Sequence, residues 1–191
     1  MTNQKTISDT RMQESTPKQI REFTPFLLIG VFVFAFLIPL HSAYSFEGGD
    51  GTAANPYRIA TCEQLQDLDL RIGHQFDTDH YVLTDDIDCS GTSTWNEGKG
   101  FKPIGKSHPG TFRGSLDGQG HRITGLYINR PEESTVGLFG YTSEASISNI
   151  TLAGVNVTGE RGVGGLIGTG SHSQVTNSRV SGTITAKYRG G

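Results

Sequence analysis

Basic side chains are scarce in this sequence: 16 Lys and Arg stand against 19 Asp and Glu in 191 residues, a formal net charge of -3. That balance excludes an electrostatic nucleic-acid binder, which needs a basic face to neutralise phosphates. Cysteine is nearly absent as well, and the pair Cys62 and Cys89 is too few for a disulfide-dense miniprotein. The usual catalytic signatures are missing. None of the six His is followed by Glu, so there is no His-Glu-x-x-His zinc helix, and there is no Gly-x-Ser-x-Gly elbow. The glycines at 162–168 lack the Gly-x-Gly-x-x-Gly and Walker spacings, which weighs against dinucleotide and nucleoside-triphosphate sites. What is present in quantity is glycine, 26 residues, with 34% hydrophobic and 18% charged side chains. Such a composition fits neither a disordered acidic tail nor a polytopic membrane protein.

Long apolar runs are also absent, with one exception. After the polar stretch Met1 to Glu22, Pro25 to Leu40 carries no charged side chain over about 16 residues. A spanning helix wants roughly 20 apolar residues and a signal-peptide core about 7 to 15, so the run lies nearer the second class. Small residues at Ala43 and Ser45 then predict cleavage before Phe46. An uncleaved amino-terminal anchor is the alternative, and both readings put the remainder outside the cytosol. In that oxidising setting an even pair of cysteines predicts a Cys62–Cys89 disulfide rather than reactive or metal-binding thiols, with two buried free thiols as the alternative.

Residues 46–100 read as a cap and first coils. Tyr57-Arg58-Ile59 alternates like a strand. Thr61 with Gln64 makes a capping box, and Leu65, Leu68 and Ile72 share one helical face, so a short helix follows. His80 to Thr84 and Ile87 to Cys89 read as strand pieces before a Gly/Ser/Thr-rich loop at 90–100 that carries Trp95, the sole tryptophan.

From Phe101 to the last residue, short β-prone stretches repeat. Gly137-Leu138-Phe139-Gly140 recurs as Gly165-Leu166-Ile167-Gly168, Ile147-Ser148-Asn149 as Val175-Thr176-Asn177, Gly154 as Gly182 and Arg161-Gly162 as Arg189-Gly190, all at a spacing of 28. A degenerate earlier copy aligns Ile123, Gly125, Leu126 and Ile128 with Ile147, Asn149, Ile150 and Leu152, 24 residues on. Each unit has too few inward aliphatics, such as Leu138, Ile147, Ile150, Leu152 and Val157, to form a core alone. Stacking coils about 4.8 Å apart would pair every strand with its equivalent and build one apolar interior. The expected class is therefore all-β, a parallel solenoid with a short capping helix behind a signal peptide. Gly125, Asn149 and Asn177 suit positive φ at a bend, and stacked Asn149 and Asn177 suit an amide ladder. A β-sandwich is the competing architecture, but it does not explain a self-match at 28.

These residues carry a resemblance. The Gly-Leu-hydrophobic-Gly elements at 137–140 and 165–168 resemble the GLUG repeat of bacterial surface and secreted proteins, including regions of IgA-specific metalloproteases and large adhesins. Asp50-Gly51-Thr52, Asn55 to Thr61, Asp86-Ile87-Asp88, Phe101 to Gly105 and Phe112 to His121 are similar to the amino-terminal part of such arrays. The resemblance covers roughly 46–191 and implies a right-handed β-helix, usually within a longer chain. It also implies that a further coil begins where Arg189-Gly190-Gly191 ends the sequence. Protease activity is not implied, because the zinc helix is missing.

Candidate chemistry is sparse. Asp85, Asp86 and Asp88 are carboxylates near a strand end that could ligate Ca²⁺, although no EF-hand spacing accompanies them. Asp117-Gly118-Gln119-Gly120-His121 pairs an acid with a histidine, yet Asp-Gly-x-Gly is first of all a turn. Trp95, Tyr57, Tyr81 and Tyr127 could stack on sugars, or fill a cap. Asn149-Ile150-Thr151 and Asn156-Val157-Thr158 match glycosylation sequons. No cofactor and no catalytic or metal site is expected. The expected role is a non-enzymatic exported module, a stalk or an adhesive surface for host glycans or surface proteins, continued by further coils of a longer chain. It would touch a membrane only through the amino-terminal segment. The alternative is a polysaccharide lyase or hydrolase fragment, motivated by Asp117 with His121.

Overall fold

In a computed structural model the described residues are 46–71, 78–105 and 110–188; the leader, Ile72 and Arg189-Gly190 lie outside them. The described part is mostly β. One helix, α1 (Cys62–Arg71), follows strand β1 (Tyr57–Ile59). After it come β2 (His80–Leu83), β3 (Ile87–Asp88), β4 (Ser115–Asp117), β5 (Arg122–Thr124), β6 (Tyr127–Asn129), β7 (Phe139–Ser143), β8 (Ser146–Ser148), β9 (Thr151–Gly159), β10 (Ile167–Ser171), β11 (Gln174–Thr176) and β12 (Arg179–Ala186). Two short 3₁₀ turns at Ser90–Thr94 and Asn96–Gly98 occupy the loop that carries Trp95.

The capping box forms as the sequence predicts. The Gln64 side-chain oxygen accepts from the backbone N–H groups of Ala60 and Thr61 at 2.7 and 3.2 Å, and Thr61 Oγ1 accepts from Gln64 N at 3.2 Å. Leu65 and Leu68 are fully buried, and Cys62 at the start of α1 is joined to Cys89 by a disulfide with a Cα–Cα distance of 5.4 Å.

Three sheets run in the orders β1-β2-β4-β8-β11, β7-β10 and β3-β5-β9-β12, with β6 also on β9. Every strand pair among them is parallel. Consecutive parallel strands need crossovers: α1 lies in the one from β1 to β2, and each later one passes through a short strand of a neighbouring sheet. Registers place like on like. Leu116, Ile147 and Val175 stand in one column behind Tyr81; Ile87, Ile123, Leu152 and Val180 form a second; Ile128, Val157 and Ile184 form a third. Because side chains alternate faces along a strand, these columns face one interior, and all their members before β11 are essentially buried. Each aliphatic so removed from water contributes roughly 1.5 to 3 kcal/mol. A row of aromatic rings extends the interior: Phe46, Tyr57, Tyr81, Phe112 and Phe139 have successive centroid distances of 5.1, 5.6, 6.2 and 4.6 Å.

The glycines of the repeated element are explained by close approach, not by φ. A Cβ at Gly140 would lie 2.5 Å from Gly105 O and 2.8 Å from Thr135 O, and one at Gly168 would lie 2.6 Å from Val136 N. Gly137 would meet Gly164 O at 2.8 Å, and Gly165 would collide with Val180. Leu138, Phe139, Leu166 and Ile167 are the filling between them: the first three are buried, and Ile167 packs against the cluster and pairs with Phe139.

Two expected alignments are corrected. Ile123 pairs with Leu152 and Ile128 with Val157, a spacing of 29 rather than 24, while Leu116 pairs with Ile147 at 31. The Asp117 to His121 turn carries two residues more than its successor, which hides the register from a fixed-offset comparison. Gly125 therefore corresponds to Gly154, not Asn149, and the two share positive φ of 69° and 64°. Gly182, in turn, stands opposite Val155 instead of Gly154, because β9 bulges between Leu152 and Val155.

Candidate functional site

Asn149 and Asn177 are brought together as the sequence suggests. Both hold positive φ, 55° and 49°, and Asn177 Nδ2 donates to Asn149 Oδ1 at 3.2 Å. The ladder is one member longer than expected, since Asn149 Nδ2 donates to Asp117 Oδ1 at 2.8 Å. Asp117 also accepts from Gln119 N at 2.9 Å, which makes Asp-Gly-x-Gly the turn that its composition implies.

His121 is not paired with Asp117. Its Nδ1 lies 3.3 Å from Asp86 Oδ1, which also accepts from Arg122 N at 2.9 Å. The Arg122 N–H first, and the His121 ring with it, hold the Asp86 carboxyl below its ordinary 3.8. The acid–base pair that motivated a polysaccharide-cleaving reading is thus not assembled. Asp88 is engaged by Ser90 N at 2.9 Å, and Asp85, Asp86 and Asp88 are all exposed. Among the described residues no group of His, Cys, Asp and Glu is arranged to hold a metal ion.

The aromatic candidates fill the interior or its margins. Tyr81 is buried, Tyr57 packs on Phe46 and beneath the Arg71 guanidinium at 4.3 Å, and Trp95 stacks on Phe101 at 6.4 Å. Tyr127 is half-buried, one step before the inward Ile128.

What sequence reasoning missed is a polar cleft. It holds about 500 Å³ and is lined, among the described residues, by Lys102, Pro103, Gly105, Arg130, Glu133, Ser134 and Thr135. Helix α1 fixes one wall: Gln66 clamps the Lys102 backbone with two hydrogen bonds, Nε2 to the carbonyl at 2.9 Å and Oε1 from the N–H at 2.7 Å. Asp69 forms an ion pair with the Lys102 ammonium and accepts from Gly105 N at 3.3 Å. Lys102 also borders a second hollow of about 270 Å³ with Gln66, Asp69, Leu70 and Asn96. Opposite, Arg130 is only 9% exposed; its Nε donates to Phe101 O at 3.2 Å and its Nη1 to Glu133 Oε1 at 2.9 Å. Thr135 has φ of 60°, an outlier for a β-branched residue that costs of order 1–3 kcal/mol. The corresponding position before Val163, the partner of Val136, is Gly162 with φ of 57°. The only advance signal was the Arg and Glu in an otherwise charge-poor repeat.

A last feature is the exposed margin at β11 and β12. Val175, Val180 and Ile184 are 46%, 37% and 45% exposed although they continue the buried columns.

No known protein family matches the chain, and no solved structure does. Among curated proteins, 145 residues are 41% identical to Halomucin of Haloquadratum walsbyi, covering 74% of this chain and 2% of that protein. Over 157 residues the chain is 35% identical to a Gly-rich membrane protein of Evansella cellulosilytica, covering 79% of this chain and 18% of the relative. The chain therefore spans a small part of the length of either relative. Among the described residues no helix is long and apolar enough to cross a membrane.

Proposed function

We propose that residues 46–191 form a GLUG-type module, a right-handed parallel β-helix (solenoid) of an exported cell-surface or secreted protein, that serves as a stalk or adhesive surface. The observation that carries this reading is the register: Gln174, Val175 and Thr176 lie parallel to Ser146, Ile147 and Ser148, their counterparts 28 residues earlier. Strands that pair with their own repeats bury an apolar column without limit of length, which suits a spacer. A disulfide and two much longer relatives, one named Halomucin and the other a Gly-rich membrane protein, support a place at or outside the membrane. The exposed Val175, Val180 and Ile184 support a further coil of the same repeat as the neighbour of β11 and β12.

Glycan and extracellular-matrix arrays probed with the full chain test the adhesive half of the proposal. Saturable binding to a defined set of glycans or matrix proteins is expected, whereas silence across both arrays reduces the role to a spacer. Release of reducing ends or unsaturated products from acidic or neutral polysaccharides would replace the reading with an enzymatic one.

A further inference from the structure

The cleft between residues 101–105 and 130–135 is a feature that a repeating spacer does not require. We propose that it is a binding site for a neutral saccharide unit, an inference that rests on the adhesive reading above and gives it a location. Its volume, about 500 Å³, falls within the range of small-ligand sites. Its walls are polar but balanced in charge. Lys102 is paired with Asp69 and Arg130 with Glu133, so an added phosphate or carboxylate would meet cations already neutralised. A sugar hydroxyl, donor and acceptor at once, can instead insert beside such pairs, donating a hydrogen bond to the carboxylate and accepting one from a guanidinium N–H. Ser134 and Thr135 add hydroxyl oxygens to the same wall; their protons go to Glu160 Oε2 at 3.1 Å and to Ser134 O at 2.6 Å, so they serve a ligand as acceptors, and Pro103 offers C–H surface to a ring.

Preorganisation argues in the same direction. Arg130 is nine-tenths buried and its Nε is committed to Phe101 O, which fixes the plane of the guanidinium before any ligand arrives. Thr135 is the more telling residue. Backbone geometry alone favours glycine at a φ of 60°, and the next repeat uses Gly162 in that conformation. Here a hydroxyl-bearing, β-branched side chain is kept on the cleft wall at the expense of strain, as happens where a side chain is needed for binding.

The test is an NMR titration of the uniformly ¹⁵N-labelled full chain with lactose, cellobiose, maltose and mannobiose, with glucuronate and inorganic sulfate as charged arms. Saturable shifts confined to Lys102–Gly105 and Arg130–Thr135 with at least one neutral disaccharide, and none there with glucuronate or sulfate, are expected. Thr135→Gly should weaken that binding about tenfold without lowering the melting temperature, and Glu133→Gln, at an exposed position, should weaken it similarly. Stronger shifts with the charged arms, or undiminished binding by both variants, would overturn the site. Array binding with no perturbation of these residues would overturn this location and leave the adhesive reading intact; silence in titration and array together would remove both.

Discussion

Asn177 donates its side-chain amide to the side-chain oxygen of Asn149, the residue 28 positions before it, and Asn149 passes its own amide on to Asp117. Each asparagine also holds a positive φ that few residues tolerate, so one residue type answers both the bend and the ladder. Replacing Asn149 with Ala should cost about 1–3 kcal/mol in urea unfolding, from strain at φ of 55° plus two lost hydrogen bonds. Asn149→Gly, which keeps the bend and loses the ladder, should cost less. Equal losses for the two would mean that conformation contributes nothing.

Depth along the columns should grade the cost of truncation. Leu152→Ala, fully buried between β5 and β12, is expected to lose about 2–5 kcal/mol. Val180→Ala, 37% exposed in the same column, should lose well under half of that figure. Thermal and chemical unfolding of the two variants side by side check the order, and a reversed order would contradict the shared interior.

Opening the Cys62–Cys89 disulfide, which spans 27 residues and ties α1 to the strand end at β3, should lower stability by about 3 kcal/mol. Unfolding with and without reductant, alongside the double Ser variant, measures it. No change in either case would remove the disulfide from the account.

Acid should loosen the contact between the 84–90 and 121–122 segments. Asp86 has a folded-state value below its ordinary 3.8, so the unfolded chain takes up the proton first. The stabilisation is therefore complete above pH 3.8 and is lost as pH falls through the lower folded value. A pH series of unfolding midpoints should show a shallower acid-side decline for Asp86→Asn than for the parent chain; parallel curves would discount the Arg122 and His121 contacts.

Much of the architecture could be read in advance because it rests on local chemistry with a short reach. Thr61 and Gln64 announce their own cap, and Asn149 and Asn177 announce their bends. The repeated Gly-Leu-hydrophobic-Gly element was visible as a pattern, though its reason, backbone crowding at Gly140 and Gly168, needs the neighbouring segments in place. Offsets failed where turns change length: the two extra residues after Asp117 change the offset from 31 at Leu116 to 29 at Ile123 and Ile128, and the bulge opposite Ser181 displaced Gly182. Contacts between distant turns were not legible either. Nothing in the order Asp86 to His121 shows that these two meet across 35 positions. Nor does the spacing of Lys102, Arg130 and Glu133 reveal a common cleft, because one wall depends on how α1 docks on residues 101–105.

The central claim is that counterparts 28 residues apart lie side by side in parallel strands. Cysteine pairs test it directly: Ser146→Cys with Gln174→Cys places thiols on register partners, whereas Ser146→Cys with Val175→Cys places them on opposite faces. Mild oxidation followed by peptide mapping should find the intrachain 146–174 cross-link in high yield and little at 146–175. A 146–174 pair that stays reduced, or equal yields from both pairs, would contradict the register on which the fold and the proposed module depend.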